Sequence, residues 1–411
     1  MEELHEPLVD ALILEARRWS AALAGRQVST LYIGGGTPTV LRGVSLARVL
    51  RSVHELFDLD PDAEITCEAN PDSSDLAVFD DLLENGVNRL SLGVQSMADS
   101  DLHLLGRVHD ADQALRAFNL ARLAGFDNVS IDLMFGLAHE GSPRSLSAWR
   151  ETLQQAIALA PEHLSLYSLI VEPGTPLAAA VASGALVAPD DDRAADEYET
   201  AMEVLDGAGY SHYEVSNWAR AGGLIREVLE GGQAVPASNA TATPALASRH
   251  NLAYWRNGEY IGLGPGAHSH LREDAEAADL HSACGSGGAR HGSGGQRGDL
   301  VERRFANVLA VQEYIERVVD TGAAVDFEEY LTPRQAMGET MMLGLRLVRE
   351  GVPHARFEAL HGCSPLEVFE HELGELRGLS LIDVDAVRTR LTRRGLMLGN
   401  RVFRAFVTAG Q

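Results

Sequence analysis

Val28-Ser29-Thr30-Leu31-Tyr32-Ile33-Gly34-Gly35-Gly36-Thr37-Pro38 is the stretch that decides the fold. Its first six residues are rich in β-formers and read as a short strand, which the glycine run ends. Upstream, Leu8, Ala11, Leu12, Leu14, Trp19 and Leu23 stand among charged residues over 6–25 and read as an amphipathic helix. Downstream the alternation repeats: a helix over 44–57, a strand over 64–67, a helix over 74–84 and a strand over 89–93. A helix over 111–124, a strand over 129–133, a helix over 146–159 and a strand over 163–170 follow. A last helix runs from Asp191 to Gly207 or Gly209, and 210–216 looks extended. Short apolar strands separated by helices imply βα units around a parallel sheet, with ligand groups where the loops converge at the strand C-termini. Gly34–Thr37, Glu68-Ala69-Asn70-Pro71, Gln95 and Asp132 all fall at such ends.

The 411 residues suit one large domain plus a smaller one, and a hydrophobic content of 45% is enough to pack most of them around cores. The net charge of -25 comes from dispersed acidic residues and disfavours nonspecific contact with nucleic acid or anionic membrane. No window offers the roughly 18–20 continuous apolar residues of a membrane span. The opening Met1–Glu6 lacks the basic and apolar regions of a secretory signal, and three cysteines make no disulfide framework. Cytoplasm is the expected compartment. Two stretches, 221–248 and 271–299, are read as flexible surface insertions, the second with seven glycines between Gly285 and Gly298. Beyond Leu300 the pattern predicts a mainly helical region ending in a small sheet, with Arg401-Val402-Phe403 as a returning strand. Such a wing often suggests nucleic acid, but the acidic chain and the lack of a basic face argue against that partner.

Several residue types could carry chemistry. Gly34-Gly35-Gly36 allows close ligand approach and exposes amides to a carboxylate or phosphate; alone, it reads first as a tight turn and second as a ligand loop. Glu68 could accept from an amino group or ribose hydroxyls, and Gln95 could hold a polar ligand. Arg107 suits a carboxylate and Asp132 an ammonium or hydroxyl; for each, a local turn or salt-bridge role is the plainer reading. His109 reads as a structural or surface histidine rather than a ligand. Arg249-His250-Asn251-Leu252-Ala253-Tyr254-Trp255 concentrates polar and aromatic groups. There His250 could ligate heme iron and Tyr254 and Trp255 could pack on a flat porphyrin, although plain core packing is the first local reading. Cys67, Cys284 and Cys363 are far apart, with no CxxC or CxxxCxxC pair, so they are read as isolated rather than as iron–sulfur ligands.

The ordered series of motifs resembles the HemW-type heme chaperones of the radical S-adenosylmethionine (SAM) superfamily, relatives of the oxygen-independent coproporphyrinogen III oxidases. It comprises Tyr32–Pro38, Glu68–Pro71, Arg89–Ser96, Leu105–His109, Asp132–Leu137, His250–Trp255, Gly262–His268, Arg304–Asn307 and Met342–Arg346. The resemblance implies an incomplete radical-SAM (β/α) barrel with a mainly helical C-terminal domain. It divides the chain into the partial barrel at 1–215, the HNxxYW region at 216–300 and a HemN-like C-terminal domain at 301–411. Gly34, Gly35, Gly36 and Thr37 would meet SAM, and Glu68, Gln95, Arg107 and Asp132 match polar groups of its pocket. His250, Asn251, Tyr254 and Trp255 belong to the HNxxYW motif tied to heme handling and absent from true oxidases, with His250 as a heme-ligand candidate.

Full-length relatives carry CxxxCxxC, the ligands of a [4Fe–4S] cluster, on a loop before the helix that Leu8–Trp19 resembles. Neither the loop nor the strand preceding it is in this sequence. A late start or cropping explains this better than loss of the cysteines; a degenerate protein is the alternative. The expected function is heme binding and transfer to respiratory hemoproteins, including a membrane-associated recipient complex, with SAM and [4Fe–4S] in the full-length form. Oxygen-independent coproporphyrinogen III oxidation is the alternative, and a cluster-free binding or regulatory domain the third reading.

Overall fold

A computed structural model describes residues 2–36, 38–41, 44–139, 142–184, 186–221, 243–274 and 300–407. After helix α1 (His5–Ala22) come β1 (Gln27–Ile33), α2 (Val44–Leu56), β2 (Asp58–Ala69), α3 (Leu76–Glu84) and β3 (Arg89–Gln95). The chain continues through α4 (Ala111–Ala124), β4 (Val129–Phe135), α5 (Leu146–Ala158), β5 (His163–Ser168) and α6 (Asp191–Gly207) to the hairpin β6 (Tyr210–Glu214) and β7 (Asn217–Arg220). These strands form one seven-stranded sheet in the order β1-β2-β3-β4-β5-β7-β6. It is parallel through β5 and antiparallel at β7 and β6. The result is an open, curled, incomplete barrel, as expected.

Alternation along each strand gives the sheet two chemically different faces. Leu31, Ile65, Leu90, Leu92, Ile131, Leu133, Leu164 and Leu166 pack against Leu50, Phe79, Leu82, Phe118, Trp149 and Leu153 of the surrounding helices. Each such side chain, fully buried, contributes about 1.5–3 kcal/mol, so this outer layer holds the barrel together. The intervening residues, among them Thr30, Glu64, Thr66, Glu68, Arg89, Ser91, Ser130, Asp132, His163 and Ser165, turn to the other face. That face is polar, and it is the one available for chemistry.

The Arg249–Trp255 segment forms a short helix, α7. It bridges the two edges of the open barrel: Thr30 of β1 meets His250 Nδ1 at 3.0 Å, and the Ser248 amide donates to the Tyr213 hydroxyl of β6 at 3.2 Å. Beyond it, β8 (His268–Asp274), β9 (Leu300–Asn307) and β10 (Val325–Tyr330) make an antiparallel sheet, with helix α8 (Val311–Thr321) between the last two. Residues 271–274, expected in an insertion, thus belong to a strand; residues 222–242 and 275–299 of the two expected insertions lie outside the described residues. Buried Glu15 of α1 ties this region to the barrel, accepting from Tyr314 Oη at 2.6 Å, Asn307 Nδ2 at 2.8 Å and the Gly264 amide at 3.0 Å.

The C-terminal region is mainly helical, as expected. Its core joins Met341, Leu345, Phe357, Phe369, Leu373, Leu376, Phe403 and Phe406 around a small sheet of residues 352–353, 382–384 and 388–391. The expected strand at Arg401–Phe403 is instead part of helix Gly399–Val407. Val402, Phe403 and Phe406 are its buried residues, and that spacing lines one face of a helix rather than alternating across a strand.

Candidate functional site

Glu68 is the centre of the strand-end cluster. Tyr32 Oη donates to its Oε1 at 2.5 Å and the Gly35 amide to its Oε2 at 3.2 Å. Gly34 lies so close that a Cβ there would stand 2.6 Å from the Tyr32 ring and 2.7 Å from Glu68 Cδ, so any other residue would have to push these side chains aside. Gly35 adopts φ +105°, a left-handed conformation that aims its amide at the carboxylate. The glycine loop thus packs closely on the chain's own Glu68. Thr37 lies outside the described residues.

On the neighbouring strands, Gln95 is buried at the end of β3 with φ +69°, an unusual value for a residue with a side chain. A Cβ on Gly93 would meet Asn70 Oδ1 at 2.7 Å and Gln95 Nε2 at 2.9 Å, so two amide side chains converge over that glycine. Asp132 accepts from Ser91 Oγ at 3.0 and 3.1 Å and from Ser130 Oγ at 3.3 Å. Burial pushes its carboxyl above the usual range, while the hydrogen bonds of Ser165 and Ser91 and the charge of Arg89 pull it back. Arg107 is exposed on the loop after residues 99–104; Asp72 is the carboxylate that acts on it, and no hydrogen bond or ion pair among the described residues ties it to Glu68 or Asp132. His109 is buried, with Nε2 3.1 Å from the Val94 carbonyl, which fits the structural reading.

The HNxxYW residues divide between two sides of α7. His250 stacks on Tyr32 at 4.9 Å and meets Tyr254 edge-on at 4.8 Å, so Tyr32 touches both the Glu68 cluster and the motif. Burial, helped by the charge of Arg89, lowers the His250 pKa to about 4 and keeps the ring neutral at pH 7. Neutral imidazole with one nitrogen held by a hydrogen bond is the form that ligates metals, through the other nitrogen. Asn251 serves the helix start, its amide donating to Ser248 Oγ at 3.2 Å. Trp255 turns away, under the Arg346 guanidinium at 5.0 Å and beside the carboxyl of Glu214. Burial raises Glu214 to about 7, against the pull of the Ser216 amide and Arg346.

Tyr32, Glu64, Glu214 and Arg346 were not among the residues singled out by sequence. A signal for Glu64 existed in the polar alternation Glu64, Thr66, Glu68, because that period turns all three to the same face of the strand. The polar side chains Glu68, Gln95 and Asp132 at neighbouring strand ends are of the kind that suit a ligand bearing ammonium and hydroxyl groups, as SAM does. The thiols do not fit an iron–sulfur cluster. Cys67 is buried, its Sγ–H directed at the Glu68 carbonyl at 3.4 Å and its pKa pushed up to about 12 by burial. Cys363 Sγ lies 3.5 Å from Met337 Sδ, and Cys284 falls outside the described residues. Among the described residues no group of three or more His, Cys, Asp or Glu side chains could hold a metal ion. No helix among them is long and apolar enough to cross a membrane.

Comparison with known proteins agrees with this architecture. Residues 7–141 match the radical SAM superfamily and residues 331–398 match the HemN C-terminal domain. The chain is 33% identical over 381 residues to the heme chaperone HemW of Bacillus subtilis, covering 92% of this chain and 86% of that one. It is 33% identical over 397 residues to the heme chaperone HemW of Mycobacterium tuberculosis, covering 97% and 85%. The solved coproporphyrinogen III oxidase (HemN) from Escherichia coli, a radical SAM enzyme, superposes with a TM-score of 0.73 at 23% identity, covering 100% of this chain and 84% of that one. That likeness speaks for the fold. This chain belongs to the HemW/HemN family of the radical SAM superfamily.

Proposed function

We propose that the chain binds heme and passes it to hemoproteins, respiratory hemoproteins and membrane-associated recipient complexes among them, with His250 as the iron ligand. The observation that carries the reading is the seat of His250: its Nδ1 meets Thr30 Oγ1 at 3.0 Å, and burial keeps the imidazole neutral; with the proton on Nδ1, Nε2 would be the nitrogen that meets iron. The rings of Tyr32 and Tyr254 against His250 support it, since they would restrict how the imidazole can turn. The names of the HemW relatives point the same way. Asn251 and Trp255 would act through the helix, one at its start and the other at its contact with Glu214 and Arg346.

SAM, when bound, supplies a sulfonium whose reductive cleavage gives a radical. Gly34, Gly35, Gly36, Thr37, Glu68, Gln95 and Asp132 would hold it, Glu68 and Asp132 taking its ammonium or ribose hydroxyls and Arg107 its carboxylate. Buried Cys67, and Cys363 beside Met337, do not suit a [4Fe–4S] cluster. Coproporphyrinogen III oxidation stands as the second reading on the strength of that same polar pocket. Titrating the whole chain with hemin while following the Soret band tests the first reading. Saturation at one heme per chain is expected, and an unsaturable linear rise contradicts it. Anaerobic conversion of coproporphyrinogen III to protoporphyrinogen IX would favour the second.

A further inference from the structure

We propose that Glu64 is a positioning residue for the His250–Trp255 motif: from strand β2, its carboxylate fixes the first turn of α7 and so aims the His250 imidazole. The inference deepens the heme reading and rests on it for the role of His250. The Arg249 amide donates to Glu64 Oε2 at 2.9 Å and the His250 amide to Oε1 at 3.0 Å, with Ser248 Oγ 3.4 Å from Oε1. The first amides of any helix have no partner within it. Ser248 serves only that of Asn251, so a carboxylate from another strand takes the two before it.

The register of the sheet makes this more than a local cap. Between Val28 and Thr30 the β1–β2 pairing slips, and after the slip Thr30 stands opposite Glu64. Two neighbouring strand residues therefore hold one histidine at both ends, Glu64 its backbone amide and Thr30 its ring. The extra residues of β2 also carry Asp62, whose carbonyl accepts from Arg249 Nη1 at 2.5 Å. Helix α7 has seven residues, too short to hold its own shape in water, so its orientation depends on these anchors. Glu64 is 8% exposed, and charge-assisted hydrogen bonds away from water are the strong kind. Glutamine cannot replace it silently, because one carboxylate oxygen becomes an NH2 group directed at an N–H donor.

The test is residue-resolved amide hydrogen exchange on the full chain without ligand, wild type against Glu64→Gln, followed by hemin titration of both. In the wild type the Arg249 and His250 amides are expected to be protected. In the variant they should exchange about tenfold faster or more, since each hydrogen bond to a charged group carries roughly 1.5–3 kcal/mol. Exchange in β3, β4 and β5 should stay as it was. Hemin affinity should fall about tenfold, with a displaced Soret band, a change that general loosening elsewhere does not produce. Unprotected Arg249 and His250 amides in the wild type overturn the proposal, even if the variant fails to fold. Protection unchanged by Glu64→Gln overturns it as well. Faster exchange with wild-type hemin affinity and Soret position overturns the positioning role. A wild type that takes up no hemin sinks the heme reading instead, while the exchange result still decides whether Glu64 holds the helix.

Discussion

Replacing Arg144 with methionine should destabilise the protein by about 3–5 kcal/mol, the cost of stranding buried charges by removing one partner. Arg144 Nη1 lies 2.5 Å from Asp101 Oδ2, Nη2 lies 3.4 Å from Glu197 Oε2, and the guanidinium sits 4.6 Å over the Trp149 ring. Exposure of the three ionic side chains is 2% or less, so water cannot replace the lost cation. Asp101 still accepts from Ser96 Oγ at 2.6 Å, and Glu197 still accepts from the Gly136 amide at 2.7 Å and pairs with Arg193 at 3.9 Å. Those remaining bonds place the loss near the middle of the range, about 4 kcal/mol. An unfolding entropy of about 2.1 cal/mol/K per residue over the whole chain then gives a fall of roughly 5 °C in Tm, if the chain melts as one unit. The assay is thermal melting of wild type, Arg144→Met, Asp101→Asn and the double variant. Because the two residues touch, the double variant should lose about 1–3 kcal/mol less than the sum of the singles. A Tm within about 1 °C of wild type, or strict additivity, refutes the reasoning.

Gly34→Ala should weaken SAM binding about tenfold or more by displacing Glu68, since its Cβ would stand 2.7 Å from Glu68 Cδ; equilibrium binding checks this, and wild-type affinity would show that the loop yields freely. Glu214, raised to about 7 by burial, keeps its proton in the folded protein up to pH values at which the unfolded chain has lost it. It therefore stabilises fully below about pH 4.5, and that contribution, on the order of 3 kcal/mol, is lost as pH rises to 7. Melts of Glu214→Gln against wild type between pH 5 and 8 should show the variant gaining relative stability with pH; a constant difference contradicts the assignment. With Cys67 buried and Cys67, Cys284 and Cys363 in no local motif, the chain reconstituted anaerobically with iron and sulfide should yield no 5′-deoxyadenosine from SAM and dithionite. Product that scales with a [4Fe–4S] spectrum would sink that prediction.

The alternation of apolar strands and helices was enough to read βα units around a parallel sheet, because burying one sheet face against helices imposes the pattern directly; the incomplete barrel came from the family resemblance. What the polar face holds was harder to read. Glu64, Thr66 and Glu68 show the period-two signal, but nothing local says that Glu64 meets Arg249 and His250, which lie far along the chain. The same distance hides Tyr32, which joins Glu68 to His250. The HNxxYW stretch was visible as a motif, yet its division, His250 toward the barrel and Trp255 toward Arg346, follows from helix geometry and a tertiary contact. Arg401–Phe403 was misread because three residues cannot separate strand from helix period; Phe406, one turn on, settles it.

In the proposed function His250 holds heme iron from its seat on Thr30. The most direct measurement is the hemin-saturated absorbance spectrum and affinity of His250→Ala beside the wild type. A displaced Soret band and an affinity weakened about tenfold or more are expected in the variant, with the far-UV circular dichroism unchanged. Identical spectra and affinities for the two proteins would contradict it.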